Sequence, residues 1–314
     1  MSLLTTVVPC RHDEATKNAL NQVTPMKKIL IQFDSDTVPS TFDRIVAVDA
    51  GVDELFSYGG ISPDNVTSLV HGAIFTRGPA DLKNTAIFVG GSNVSDGETL
   101  MRTIGSTFFG PMKVSVMMDS NGCNTTAAAA VVAAKKHLNH DDTSALVLGG
   151  TGPVGQRVAQ LLATEGSDVT LVSRSEDRAS AACDAIRART DAGTLTPAGA
   201  ATADEFQSLC SGKQLVVAAG AAGVCFLPEG SLAALDGLSV AIDLNAVPPV
   251  GITDIGVTDK AAEKHGVICY GAIGVGGTKM KVHRKAVASL FDANERVLDT
   301  QQIYALALQV AGLV

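Results

Sequence analysis

The 314-residue sequence lacks the patterns that mark several specialised protein classes. Its six cysteines form no C-x-x-C pair and show no Cys/His spacing typical of zinc sites. Scattered cysteines of this kind predict buried, reduced thiols and a cytoplasmic location. They are Cys10, Cys123, Cys183, Cys210, Cys225 and Cys269.

Long basic tracts and long apolar runs are also missing. The formal net charge is −8, so nucleic acid is not expected as a partner. The apolar run at residues 2–8 is too short to span a membrane, and no membrane partner is expected. Residues 1–26 are predicted to be an N-terminal extension to the folded domains.

The sequence offers no obvious metal ligands or nucleophile. The six histidines show no H-x-x-x-H or other metal-binding spacing, so no metal site is predicted. There is no G-x-S-x-G motif and no Cys/His arrangement that suggests nucleophilic catalysis. Hydride transfer requires neither a metal nor a nucleophile, so these absences leave that class of reaction open.

Residues 144–174 do contain a dinucleotide-binding fingerprint. An apolar run at 145–148 leads into a glycine turn, a helix pattern and a second apolar run at 169–172. In this context a G-x-G-x-x-G pattern predicts a Rossmann cofactor site. Gly150 is expected to allow the tight turn, Gly152 the approach of a pyrophosphate, and Gly155 close helix–strand packing. The alternative is a glycine-rich turn that binds nothing.

The end of the second strand predicts which nucleotide is bound. Ser173, Arg174 and Ser175 stand where an NAD site usually has an acidic residue, and Arg178 follows one helical turn later. A guanidinium binds a 2′-phosphate that a carboxylate would repel, so NADP is predicted. NAD stays a weaker alternative because two acidic residues follow closely. The predicted cofactor-binding residues are Gly150, Thr151, Gly152, Pro153, Val154, Gly155, Ser173, Arg174, Ser175, Arg178, Ala219, Gly220 and Asn245.

Strand and helix patterns alternate, which predicts an α/β fold of two domains with mostly parallel sheets. We expect an N-terminal α/β domain at 27–140 and a Rossmann NADP-binding domain at 141–290. A C-terminal helix at 291–314 is expected to pack back toward the first domain. Strands outside the fingerprint are predicted at 29–33, 55–58, 85–89, 114–118, 215–219, 240–244 and 267–270. Helices are predicted at 41–50, 64–71, 95–108, 125–138, 280–291 and 299–311.

Three polar or glycine-rich segments fall at predicted strand ends, where α/β sheets bind ligands. Residues 119–126 predict either ligand contact or helix capping. Residues 243–249 contain two prolines and predict either a rigid ligand-binding loop or a structural turn. Residues 274–285 place a basic cluster after a run of glycines. A helix N-terminus disfavours cations, so this cluster predicts a polar or anionic ligand contacted by Lys279, with Lys281 and Lys285 solvated.

Six segments resemble the NADP-dependent methylene-tetrahydromethanopterin dehydrogenases of bacterial one-carbon metabolism, some of which also act on methylene-tetrahydrofolate. They follow one another in order between residues 27 and 312. The segments are KKILIQFDSD, TAIFVGG, FFGPMKVSVMMDSNGCNTTAAAA, LVLGGTGPVGQR, DLNAVPPVGI and GAIGVGGTKMKVHR.

This resemblance implies oxidation of the methylene bridge of a reduced pterin to a methenyl cation, with hydride passing to NADP+. It implies that Lys279 is the catalytic residue and contacts the pterin. It also implies a homo-oligomer, with a trimer as the expected form. The residues predicted to bind the substrate are Asp34, Asp36, Ser120, Asn121, Asn245 and His283.

Two other functions stay open on the sequence. A dehydrogenase of a small polar alcohol, similar to shikimate dehydrogenases, would need a Lys–Asp pair in the first domain. The lysines there include Lys27, Lys28, Lys83 and Lys113, and these four lack a convincing cleft context. The string GGTGPVGQRV also resembles the turn of redox sensors that bind NADP without turnover, but those carry it at the very N-terminus. Here 143 residues precede the fingerprint segment.

Overall fold

A computed structural model describes residues 26–190 and 193–314. Within these ranges the chain forms two β-sheets covered by helices, and the predicted α/β class is confirmed. The expected extension at 1–26 lies, apart from Met26, outside the described residues.

The strands are β1 (Ile29–Asp34), β2 (Glu54–Tyr58), β3 (Thr85–Gly90), β4 (Ser115–Met118), β5 (Ser144–Leu148), β6 (Asp168–Ser173), β7 (Leu195–Gly199), β8 (Leu215–Ala218), β9 (Val240–Asp243), β10 (Lys260–Lys264), β11 (Val267–Tyr270) and β12 (Val297–Leu298). The α-helices are α1 (Thr41–Asp49), α2 (Pro63–Phe75), α3 (Val94–Thr107), α4 (Cys123–Lys135), α5 (Pro153–Thr164), α6 (Glu176–Arg187), α7 (Ala203–Cys210), α8 (Ala272–Ser289) and α9 (Thr300–Ala311).

The first sheet is parallel, with strand order β12-β4-β3-β1-β2. The order reverses between β1 and β3, so the loops that follow these two strands diverge and leave a crevice at their carboxyl ends. Its last strand, β12, comes from the C-terminal segment and pairs with β4 through Val297 and Leu298. The chain therefore returns to its first sheet after completing the second.

The second sheet has the order β10-β11-β9-β8-β5-β6-β7. All of its neighbouring strands are parallel except β10, which runs antiparallel to β11. The sequence patterns predict neither β7 nor β10. Without β10 this is the strand order of the dinucleotide-binding Rossmann fold, whose switch point lies between β5 and β8.

The alanine-rich helix α4 lies where the two halves meet. Its residues from Ala127 to Ala134 are buried, and the helix packs against α5, α8 and α9. Small side chains allow neighbouring helix backbones to approach closely. One continuous cluster of buried apolar residues includes Phe88 of the first sheet and Val147 of the second. The two sheets thus share a core.

The lengths and hydrophobicity of the helices were compared with what a membrane-spanning helix requires. Among residues 26–190 and 193–314, no helix is both long and apolar enough to cross a bilayer.

Candidate functional site

Two cavities lie at the carboxyl ends of the parallel strands, one at each switch point. The first, here called the fingerprint cavity, has a volume of about 320 Å³ and lies beside the ends of β5, β6 and β8. It is lined by Gly149, Thr151, Gly152, Val172, Ser173, Arg174, Arg178, Phe206, Ala219, Gly220, Ala221, Val224 and Phe226.

The glycine turn has the predicted shape, but one role falls on a different residue. The residue with a left-handed backbone is Gly149, at φ +67°, whereas Gly150 has an ordinary φ. A Cβ on Gly150 would lie 2.5 Å from the Leu171 side chain, so this glycine is required by packing. The prediction that Gly150 makes the tight turn is therefore wrong. Gly155 has the expected packing role, because a Cβ there would lie 2.8 Å from backbone atoms of Gly149 and Gly150.

Gly152 is the N-cap of α5 and lines the fingerprint cavity. The unpaired N–H groups and the partial positive charge of this helix end favour a phosphate. A Cβ on Gly152 would approach only the carbonyl oxygens of Gly149 and Ala219, at 3.5 and 3.6 Å. The bare backbone is thus exposed to the cavity, as a pyrophosphate site requires. Pro153 and Val154 form the first turn of α5 and are not among the lining residues.

The phosphate-selecting side chains lie together at one end of this cavity. Ser173, Arg174 and Arg178 all line it, and no carboxylate among residues 26–190 and 193–314 does so. Ser175 instead occupies the N-cap position of α6 without a side-chain capping hydrogen bond, and the first turn of this helix carries the two acidic residues that left NAD as an alternative. Both acidic residues therefore lie in the helix, outside the cavity lining.

The second cavity, here called the Lys279 cavity, has a volume of about 300 Å³. It lies where β1, β3 and β4 end, at the switch point of the first sheet. Its lining residues are Asp36, Ser40, Phe42, Asp43, Gly91, Ser92, Asn121, Gly122 and Lys279. The structure thus brings three predicted residues, Asp36, Asn121 and Lys279, into one site.

Lys279 reaches this cavity from the middle of a helix. Helix α8 begins at Ala272, so the glycines of 274–277 are helical and Lys279 does not stand at a helix N-terminus. The prediction of a helix start near residue 280 is wrong, and with it the argument from the helix dipole. The Lys279 ammonium lies 5.3 Å from the centre of the Phe42 ring, over which it makes a cation–π contact. It also packs against Gly122, where a Cβ would lie 2.5 Å from Nζ.

The two carboxylates that follow β1 have different roles. Asp36 lines the cavity and accepts hydrogen bonds from the Ser92 backbone N–H at 3.0 Å and from its hydroxyl at 2.8 Å. Asp34 is fully buried and accepts hydrogen bonds from the backbone N–H groups of Asp36 and Ser40. The prediction that Asp34 faces the substrate is therefore corrected: it shapes the loop that carries Asp36.

The loop after β4 shows the same division between neighbours. Ser120 is buried, and its hydroxyl donates a hydrogen bond to the Gly90 carbonyl at 3.0 Å. It does not line the cavity, so the prediction that Ser120 binds substrate is corrected. Asn121 has a left-handed backbone, at φ +52°, and its N–H bonds to the Gly91 carbonyl at 2.7 Å. This conformation is uncommon outside glycine and leaves the Asn121 side chain at the cavity wall. Asp119, fully buried, accepts hydrogen bonds from the start of α4.

Two further predicted residues are buried beside the site instead of lining it. Asn245 donates to the Pro249 carbonyl at 3.2 Å and accepts from the Val247 N–H at 2.9 Å, so its amide closes the proline loop. His283 is 1% exposed and stacks on Phe88, with ring centres 5.6 Å apart. Burial lowers the pKa of His283 to about 4, which makes the imidazole neutral at neutral pH. The predictions that Asn245 and His283 contact ligand are not supported by these positions.

The sequence analysis missed Asp43. This residue lies in the first turn of α1, where a carboxylate is ordinarily explained by the helix dipole, so no sequence signal marks it. In the structure it lines the Lys279 cavity. Burial raises the pKa of Asp43 to about 6. Carboxyl groups with such raised pKa values concentrate at functional sites.

Comparison with known proteins places this chain in a family. Residues 41–121 match the family model described as methylene-tetrahydromethanopterin dehydrogenase, N-terminal. The chain is 43% identical to the bifunctional protein MdtA of Methylorubrum extorquens, over 91% of this chain and 99% of that protein. The chain belongs to the methylene-tetrahydromethanopterin dehydrogenase family. Another member of this family, the NAD(P)-dependent methylenetetrahydromethanopterin dehydrogenase of the same organism, is 29% identical over 94% of this chain and 99% of its own length.

Solved structures with a similar fold are more distant in sequence. Shikimate 5-dehydrogenase from Listeria monocytogenes, solved with shikimate and NAD, has a TM-score of 0.52 at 12% identity, covering 91% of this chain and 98% of that one. Quinate dehydrogenase from Corynebacterium glutamicum, solved with NAD, has a TM-score of 0.50 at 14% identity, covering 90% and 99%. At these identities the likeness shows the fold alone.

Proposed function

We propose that this protein oxidises the methylene bridge of methylene-tetrahydromethanopterin to the methenyl form, with NADP+ as hydride acceptor, and that it also accepts methylene-tetrahydrofolate. The observation that carries the proposal is the pair of cavities. One has a phosphate turn with two arginines and, in the part of the chain that the structure describes, no carboxylate, and the other has a lysine, two carboxylates and an amide. Helix α8 starts just after the end of β11 and carries Lys279 to the second cavity. Lys279 lies about 11 Å along the helix axis from the first residue, Ala272.

The residues present suit a reaction that needs no acid or base. Loss of hydride leaves a carbocation that its two neighbouring nitrogens already stabilise, so no proton has to move. Catalysis then depends on holding the two reactants in a near-attack arrangement, which is worth up to about 7–11 kcal/mol in favourable systems. The Asp36 and Asp43 carboxylates also supply negative potential where positive charge develops.

The charge of Lys279 has to be directed away from the carbon that becomes cationic. We therefore assign its ammonium to the pterin carbonyl oxygen, which it can hydrogen-bond and polarise. The Asn121 amide can pair with the amino or ring N–H groups of a pterin. In the other cavity Arg174 and Arg178 would hold the 2′-phosphate of NADP.

The alcohol dehydrogenase alternative loses support from where the first-half lysines lie. Lys27 pairs with Glu54, Lys113 pairs with Glu295, and Lys28 lies over the Phe291 ring. None of these lysines lines either cavity.

The test is a spectrophotometric assay with purified protein, both pterins and both nucleotides. Methylene-tetrahydromethanopterin with NADP+ should give a rise in NADPH absorbance that depends on enzyme. No rise with either pterin would contradict the proposal. A homo-oligomeric, trimeric assembly and a cytoplasmic location are further parts of it, which size-exclusion chromatography with light scattering and cell fractionation would test.

A further inference from the structure

A buried arginine joins the fingerprint helix to the first half of the molecule. Arg157 lies in α5, one turn after Gly152, and is 5% exposed. A buried cation is strongly unfavourable unless its donors are paired. The partners of this guanidinium therefore show which parts of the structure it holds together.

Three hydrogen bonds fix the guanidinium. Its Nη1 donates to the Pro153 carbonyl at 3.1 Å, within the first turn of its own helix. Its Nη2 donates to the Glu98 carboxylate at 3.0 Å, on α3, and its Nε donates to the Asn124 side-chain oxygen at 2.6 Å, on α4. Glu98 also pairs with Arg189, at 3.2 Å. Arg157 thus reaches from the phosphate-binding helix to two helices of the other half.

Asn124 extends this connection to the Lys279 cavity. Its Nδ2 donates to the Met118 carbonyl at 2.6 Å, at the end of β4, and its N–H donates to Asp119 at 2.9 Å. Its side-chain oxygen accepts a second hydrogen bond, from Thr300 at 2.8 Å. Asn124 therefore ties both ends of the short turn that presents Asn121 to the cavity.

From this geometry we propose that Arg157 is a positioning residue for hydride transfer, which sets the phosphate-binding helix against the Asn121 turn. The inference rests on the proposed function, since it concerns the alignment of the same two reactants. Arg157 lines neither cavity. It acts through Pro153 on one side and through Asn124 on the other.

The expected size of the effect follows from the sensitivity of hydride transfer to geometry. A displacement of about 1 Å at the reacting atoms can reduce the rate about 100-fold. The planar fork of arginine makes all three hydrogen bonds in fixed directions, whereas a lysine ammonium is a single flexible point charge. Preserving the charge alone should therefore not preserve the alignment.

The experiment compares Arg157→Lys and Arg157→Gln with the unmodified enzyme. We expect kcat to fall by about 10- to 100-fold in both, with NADP+ affinity by calorimetry changed less than about threefold. The primary deuterium isotope effect on kcat, measured with deuterated methylene substrate, should rise because hydride transfer becomes more strongly rate-limiting. A purely structural role would lower the melting temperature and the yield of active protein without raising the isotope effect.

Two further variants serve as control and as back-up. Arg189→Gln removes the other partner of Glu98 from an exposed position and should change kcat by less than about twofold. Glu98→Gln keeps the side-chain shape and should raise the isotope effect in the same direction, which provides the test where the Arg157 variants fail to fold.

The outcomes separate this inference from the proposed function. Turnover by the unmodified enzyme, with unchanged kcat and isotope effect in the folded variants, would overturn the positioning role alone. Parallel loss of NADP+ affinity and kcat would also overturn it, since Arg157 would then support cofactor binding. Absence of turnover in the unmodified enzyme would overturn the proposed function and the positioning role together.

Discussion

The two cavities of this protein are built in different ways. The fingerprint cavity is lined by residues that all lie between Gly149 and Phe226, in the glycine turn, around the end of β6, in α7 and at 219–226. The Lys279 cavity is lined by residues from both halves of the chain, at 36–43, 91–92, 121–122 and 279. The first forms within the second sheet and its helices, and the second exists only once the first sheet and α8 have assembled.

This difference between the cavities corresponds to the difference between the two ligands that they are proposed to bind. A dinucleotide is bound by repeated, substrate-independent features such as a helix N-terminus and bare glycine backbone. A pterin requires particular donors and acceptors along its edge, which one local motif cannot supply. Substitutions in the Lys279 cavity should therefore affect the pterin alone, and those in the fingerprint cavity the nucleotide alone.

The largest single effect is expected at Lys279. Replacing Lys279 with Ala removes a charged hydrogen-bond donor, so kcat/KM for the pterin should fall about 100-fold, near the upper end for such a bond. NADP+ affinity, measured by calorimetry, should be unchanged. The control is Lys281→Ala, an exposed lysine on the same helix, which should leave both parameters intact. Equal pterin kinetics in both variants would remove Lys279 from the site.

A smaller effect, with a distinct pH dependence, is expected at Asp43. Its pKa in the folded protein, about 6, lies above the ordinary value of 3.8, so ionising it costs stability. This cost is absent below pH 3.8, grows between pH 3.8 and 6, and is fully present above pH 6. Asp43→Asn should therefore raise the free energy of unfolding by about 1–2 kcal/mol at pH 7.5 and change it little at pH 4.

Denaturant unfolding at the two pH values measures this difference. The matched control is Asp49→Asn at an exposed position of the same helix, which should change the free energy of unfolding by less than about 0.5 kcal/mol. Asp43→Asn should also lower kcat/KM for the pterin, because one carboxylate facing the developing cation is lost. A variant that is no more stable than the parent at pH 7.5 would contradict the burial argument.

In the fingerprint cavity the expected effect is smaller because two groups share the task. Arg174→Ala leaves Arg178 and Ser173 in place, so the KM for NADP+ should rise about 10-fold, near the lower end for one charged hydrogen bond. The KM for NAD+, which has no 2′-phosphate, should change much less. Arg187→Ala, on the exposed surface of α6, is the matched control. An equal rise for both nucleotides would rule out a 2′-phosphate role.

The same division explains what could be predicted from the sequence. Arg174 and Arg178 follow a strand and a glycine turn at fixed spacing, so their position depends on local structure alone. The pairs Asp34/Asp36 and Ser120/Asn121 show the limit of such prediction. The pattern places each pair at the end of a strand, but which member turns to the cavity depends on loop hydrogen bonds to Ser40, Ser92 and Gly90.

Other errors arose where tertiary contacts override local preference. Glycines disfavour helices, so residues 274–277 resemble a loop, yet α8 continues through them. A Cβ on Gly274 would lie 1.7 Å from the Asp259 carbonyl, next to β10, a strand that the sequence does not predict. Asp43 was overlooked for the related reason that its importance comes from the distant chain segments that surround it.

The remaining two glycines of α8 lead to the smallest predicted effect and to a test of where the pterin lies along this helix. A Cβ on Gly276 or Gly277 would have no neighbour within 4 Å, so packing does not require either glycine. Each substitution by Ala should stabilise the fold by about 0.5–1 kcal/mol. By helical spacing Gly276 shares its face with Lys279, whereas Gly277 shares its face with the exposed Lys281. Gly276→Ala should therefore also raise the KM for the pterin severalfold, and Gly277→Ala should not; equal kinetics in both would place the pterin away from this turn of α8.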